Sequence, residues 1–189
     1  VNENLINAFI SVEDRKFYSH KGFNLKRTLY ALANTLFHFK NTFGASTITQ
    51  QVVKNISGDN EITLKRKLSE IIRAYNIEKN HTKDEILEVY LNIVPMGENI
   101  SGVASASDVF FGKTPKELTL EEAATLVGIT NAPTRYNPHK NPEECRKKRN
   151  EVLYAMYDFG TISEEIYEEV TERKREVIEN SEKENEARV

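Results

Sequence analysis

Cysteine is nearly absent from this sequence: Cys145 is the only one in 189 residues. That excludes an internal disulfide framework, and with neither a second thiol nor clustered histidines for company Cys145 does not read as a metal ligand. Long apolar runs are missing too. None approaches the roughly 20 residues that cross a bilayer, and Val1 opens the chain without a basic-then-apolar leader. The sequence therefore reads as a domain from inside a longer chain, in which the lack of an anchor says nothing of location. Nor is there an excess of one charge: 26 Lys and Arg stand against 29 Asp and Glu, a formal charge of −3. That balance argues against a polyanion-binding surface, so nucleic acid is not an expected partner and any basic site has to be local. Glycine and proline are sparse, eight and five, and mostly fall where helices would stop. The length suits one domain, or two closely packed lobes, with a real core.

What is present is helical periodicity. Thr82 and Glu85 read as a capping box opening "KDEILEVYLNIV", and Thr119 and Glu122 do the same for "LEEAATLVGI", with Leu118 and Ala123 placed as a staple. Asn141 and Pro142 read as the start of a further helix that ends before Gly160. The fold class is mostly α, with short strands expected only near Gly44 and Val103. From Ser163 onward Glu, Lys and Arg alternate over a thin apolar pattern, so the foldable domain is set at 1–180 and 181–189 at a charged tail or linker. "LKRTLYALANTLFHFKNTFGAS" spreads Leu29, Tyr30, Leu32, Leu36, Phe37, Phe39 and Phe43 around a helix instead of along one stripe, which fits a buried helix or an apolar face on lipid.

Three stretches carry polar groups that ask for a reason. In "INAFISVEDRKFYSHKGFN", Ile6, Phe9, Ile10 and Phe17 make one apolar stripe, and Glu13 falls within it. The expected setting is apolar, the kind that leaves a carboxylate basic enough to take a proton. In "GASTITQQVVKN", Ser46 and Thr47 can cap a helix, while Thr49, Gln50, Gln51 and Asn55 supply uncharged donors and acceptors and Lys54 one cation. In "TLKRKLSEIIRAYNIEK", the stripe Leu64, Leu68, Ile71, Ile72 and Tyr75 is the expected packing face. Glu70 lies off that stripe, within one turn of Arg66, Lys67 and Arg73. Each stretch alone has an ordinary reading: an edge glutamate, an N-cap, a solvated salt-bridged face. Jointly, two carboxylates in unlike settings divide into a base and a group kept ionised. Lys54, Arg66, Lys67 and Arg73 then make an anion site suited to a phosphate-bearing leaving group. Arg135 and Tyr136 read as ligand contacts or as part of a proline-rich connector, and "RKKRN" from Arg146 as the solvated face of a helix.

The stretches "EDRKFYSHKG", "GASTITQQVVKN", "KRKLSEIIRAYNIEK", "KDEILEVYLNIVPMG" and "AATLVGITNAPTRYNP" stand in the order of the five motifs of glycosyltransferase family 51. Over Glu13 to about Pro138 the chain resembles the peptidoglycan glycosyltransferase domain of class A penicillin-binding proteins and their monofunctional relatives. The resemblance implies a mostly α, lysozyme-like bilobed fold, with a larger head lobe and a smaller apolar jaw lobe, about residues 25–60, facing the membrane. It implies an inverting enzyme that polymerises lipid II, the growing lipid-linked glycan chain being the donor and the 4-hydroxyl of lipid II the acceptor. Glu13 would be the base and Glu70 the second catalytic carboxylate, steadying the pyrophosphate site or a Mg²⁺ or Mn²⁺ ion. Lys54, Arg66 and Lys67 would grip pyrophosphate, with Arg73 in the anion site read from the charges, and Ser46, Thr47, Gln51 and Asn55 would line the groove. Asp14 and His20 would orient the first motif beside the substrate, and Tyr90 and Asn92 would support the fold. The expected location is the outer face of the bacterial cytoplasmic membrane, on an N-terminal transmembrane helix. Moenomycin is the expected inhibitor, and a transpeptidase domain after the charged tail is compatible with the sequence. The competing reading, a lysozyme-like glycoside hydrolase or lytic transglycosylase, shares the fold and a catalytic glutamate but has no use for the basic cluster.

Overall fold

The structure is a computed structural model that describes residues 2–24, 28, 46–58, 63–97 and 99–171. In chain order its elements are α1 (Glu3–Glu13), α2 (Ile48–Ser57), α3 (Leu64–Asn80), α4 (Lys83–Ile93), β1 (Pro95–Gly97), β2 (Ile100–Ser101), α5 (Val103–Phe111), α6 (Leu120–Asn131) and α7 (Pro142–Phe159). Helix starts follow local chemistry. Thr47 with Gln50, Thr82 with Glu85 and Thr119 with Glu122 form complete capping boxes at α2, α4 and α6, so the otherwise unpaired first-turn donors find partners. At α7 Pro142 holds the first turn as expected, but Asn141 does not cap it. Its Nδ2 donates to the Thr134 carbonyl at 3.1 Å and closes the preceding loop instead. The strand expected near Val103 is the antiparallel β1–β2 pair just ahead of α5. Gly44, the residues from Leu29 to Phe43, most of the jaw segment and the 181–189 tail lie outside the described residues.

The core forms where α1 crosses α6 and α7 and where α2 lies between α3 and α4. Phe9 of α1 meets Tyr90 of α4 edge to face, centroids 5.4 Å apart, and both rings are fully buried. Burial of each such side chain contributes about 1.5–3 kcal/mol. Leu5, Leu126, Ile129, Leu153 and Met156 fill the rest of this centre.

Helix α3 packs by a face other than the one its pattern suggests. Leu68, Ile72 and Tyr75 are 60%, 54% and 41% exposed, whereas Glu70 is 4% exposed and Ala74 is fully buried. The reason is close approach and charge pairing. A Cβ on Gly22, whose φ is +91°, would stand 2.7 Å from the Ala74 carbonyl carbon, so the loop after α1 lies against the α3 backbone at its smallest side chain. Glu70 can be buried because Arg66 and Lys67 pair with it. Residues 164–171, within the thin apolar pattern that begins at Ser163, are helical, and Tyr167 stacks on Tyr157 at 5.4 Å.

Candidate active site

The site begins where α1 stops. Asp14 ends the helix, its N–H still bonded to the Ile10 carbonyl, and its side chain is fully buried. Asp14 Oδ2 accepts from the Ile48 backbone N–H at 3.1 Å and from His20 Nε2 at 2.7 Å. The Gly22 N–H donates to His20 Nδ1 at 3.0 Å, leaving Nε2 to donate to Asp14. Thr47 Oγ1 donates to the Gly22 carbonyl at 2.7 Å. These contacts tie the first turn of α2 to the end of α1. Asp14, His20 and Thr47 are therefore struts inside the fold, and the structure does not bring them to the cleft that they set.

That cleft, about 440 Å³, is bordered by Glu13 and by Ser46, Gln51, Lys54 and Asn55 at and within α2. Its far side is Thr130 and Asn131 at the end of α6, with Val94 and Pro95 at the start of β1. Glu13 is half-buried, and its setting differs from the apolar one expected. Gln51 Nε2 donates to Glu13 Oε2 at 2.8 Å and Asn131 Nδ2 to Oε1 at 3.4 Å. Because α1 ends at Glu13, the stripe cannot continue helically to Phe17. Ile10 and Phe17 turn into the core, and the carboxylate turns out to two uncharged amides. Behind Gln51, the Tyr90 hydroxyl donates to its Oε1 at 3.3 Å.

A second, smaller recess of about 40 Å³ adjoins this cleft and is lined by Lys54, Arg66, Glu70 and Arg73 with Ser57 and Ser69. Lys54 borders both depressions. Arg66 Nη1 binds Glu70 Oε2 at 2.7 Å and Lys67 Nζ binds Glu70 Oε1, while Lys67 also donates to Ser46 Oγ at 2.8 Å. Arg66 Nε is buried with no acceptor among the described residues, a donor suited to an anionic oxygen. The arrangement favours a phosphate over a cation. No cluster of three or more His, Cys, Asp or Glu able to hold a metal occurs among the described residues, and Glu70, the one carboxylate among the described residues of the recess, has a cation on each oxygen. The donors among the described residues do not by themselves fit a protein-built Mg²⁺ or Mn²⁺ site.

Asn131 escaped the sequence reading although it stands in the quoted fifth motif, one residue before Ala132-Pro133. Arg135 and Tyr136, singled out there, face each other and the surface: Arg135 pairs with Glu144 at 2.7 Å and lies over the Tyr136 ring. Arg146 likewise pairs with Glu143 on the outer side of α7. A further buried set, Glu78 with Lys83 at 2.6 Å, adjoins His20 from α3 and α4.

The cleft with its amide-held carboxylate and the cationic recess thus share Lys54. The family model described as Transglycosylase matches residues 1–157, and the chain belongs to that family. It is similar to penicillin-binding protein 1A/1B of Bacillus subtilis, 46% identical over 85% of this chain and 18% of that protein. It is also similar to penicillin-binding protein 1A of Clostridium perfringens strain 13, 41% identical over 88% of this chain and 26% of that protein. With penicillin-binding protein 1A of Pseudomonas aeruginosa the identity is 39%, over 91% of this chain and 21% of that protein. A crystal structure of penicillin-binding protein 1A from Haemophilus influenzae gives a TM-score of 0.44 at 42% identity, covering 47% of this chain and 13% of that one. The chain thus spans about a fifth to a quarter of the curated relatives it matches.

Proposed function

We propose that this chain is a peptidoglycan glycosyltransferase domain that polymerises lipid II with inversion of configuration. The observation that carries the reading is Lys54, which borders both the Glu13 cleft and the cationic recess. A donor whose sugar lies in the cleft then has its pyrophosphate in the recess, within reach of Lys54, Arg66 and Arg73, and Lys67 steadies Ser46 and Glu70 beside them. The 4-hydroxyl of the acceptor lipid II attacks the anomeric carbon, and a new C–O bond forms as its proton passes to the Glu13 carboxylate. The bond from the anomeric carbon to the pyrophosphate breaks on the opposite face, and the leaving oxygens carry the electron pair to the cations. No step is assigned to a metal ion.

The membrane partner follows from the substrate's lipid and from exposed apolar side chains on α3 and α2. Leu68, Ile72 and Tyr75, at helical spacing on one face of α3, and Ile56 of α2 are exposed. No helix among the described residues is long and apolar enough to cross a bilayer. The reading places the domain at the outer face of the cytoplasmic membrane, anchored by a segment outside this chain, with a transpeptidase domain in the longer protein. The test is labelled lipid II with the protein in detergent: the reading expects β-1,4-linked polymer. If lipid II is untouched and preformed glycan strands are shortened, the chain is a lysozyme-like hydrolase and the reading fails.

A further inference from the structure

We infer that Tyr90 is a positioning residue for Glu13, acting through the side-chain amide of Gln51. The inference rests on the transferase reading above. Tyr90 is fully buried in α4, and its ring stands edge-on to Phe9. That hydroxyl donates to Gln51 Oε1 at 3.3 Å, and Gln51 Nε2 donates to Glu13 Oε2 at 2.8 Å. The two ends of the amide are chemically opposite. An ionised carboxylate only accepts, so it takes the nitrogen, and the oxygen then needs a donor on the other side. Tyr90 supplies it. Burial, and then the charge of Glu13, push the phenol well above the ordinary tyrosine range, so it remains a donor wherever the enzyme works.

The consequence is directional. With the hydroxyl in place, Gln51 is held in the one orientation that presents N–H to Glu13, while Asn131 holds the other carboxylate oxygen. The carboxylate is then kept in one plane at the edge of the cleft. Without the hydroxyl, Gln51 Oε1 loses its buried donor, and the amide can turn its oxygen toward the carboxylate or swing into the cleft.

The experiment is Tyr90→Phe in the full chain, followed by lipid II polymerisation kinetics, with melting temperature measured alongside. Phe9→Leu, which loosens the same ring contact without touching the hydroxyl, is the packing control. The expected result is kcat lower by about tenfold in Tyr90→Phe with KM within about twofold, and kcat unchanged in Phe9→Leu despite a lower melting temperature. Wild-type kcat in Tyr90→Phe overturns the inference while leaving the transferase reading intact. So does a rise in KM alone, which would put the hydroxyl on substrate binding, or an equal kcat loss in Phe9→Leu, which would make the effect one of packing. A wild-type chain that forms no polymer removes the transferase reading, and this inference with it.

Discussion

Glu70 and Lys54 sit in the same recess and should fail differently when changed. Glu70 is 4% exposed with Arg66 and Lys67 on its two oxygens, so Glu70→Gln leaves two neighbouring cations without their counter-charge. Breaking a pair this deep costs about 3 kcal/mol, and urea denaturation should show a loss near that size. Lys54 is exposed, so Lys54→Ala should leave stability within about 0.5 kcal/mol yet lower moenomycin affinity at least tenfold, read by fluorescence polarisation. Unchanged moenomycin binding in Lys54→Ala would remove the link between the two depressions. Residues of this kind were legible in the sequence because each reaches the site from a short run: Ser46, Gln51, Lys54 and Asn55 from one helix start, Arg66, Glu70 and Arg73 from another. Asn131 was not, because its contact with Glu13 joins positions 118 apart, and nothing local marks it. Glu13 was found for a reason the structure revises: it stood out against an apolar stripe, but amides hold it.

At the scale of elements, capping chemistry was readable and helix facing was not. A capping box is complete within four consecutive residues, so Thr82-Glu85 and Thr119-Glu122 announce themselves. The face of α3 is decided by partners far away, Gly22 against Ala74 and two cations on Glu70, and its apolar stripe points the wrong way. Two measurements belong here. Gly22→Ala combines a φ of +91° with a Cβ 2.7 Å from the Ala74 backbone, and should destabilise by more than about 1 kcal/mol, measured by thermal melting. Hydrogen bonds from Thr82, backbone first and then side chain, hold the Glu85 carboxyl below the ordinary 4.5. A carboxyl lowered on folding contributes stability that is present above its unfolded value and lost as pH falls through its folded value. The wild type should therefore lose melting temperature more steeply than Glu85→Gln as pH falls below about 4.5. Equal slopes would mean that the box does not depend on this charge.

Across the whole molecule, α2 is shared by both depressions. Its first turn is fixed to the end of α1 through Asp14 and the Ile48 N–H, its middle carries Gln51 to Glu13, and Lys54 stands between cleft and recess. The helical class was legible from periodicity. The meeting of α1, α2 and α6 around Glu13 was not, since it is set by long-range packing of α1 on α6 and α7. The stripe of α3 is exposed, and Leu68→Ser with Ile72→Ser should weaken co-sedimentation with phospholipid vesicles without lowering the melting temperature. The account stands or falls on Glu13. Wild type and Glu13→Gln should be compared for lipid II polymerisation, with melting temperature confirming that both are folded. The expected result is a rate lower by about 10²- to 10⁴-fold in Glu13→Gln with the melting temperature retained; polymer formed at the wild-type rate by that variant would contradict the assignment of Glu13 as the base.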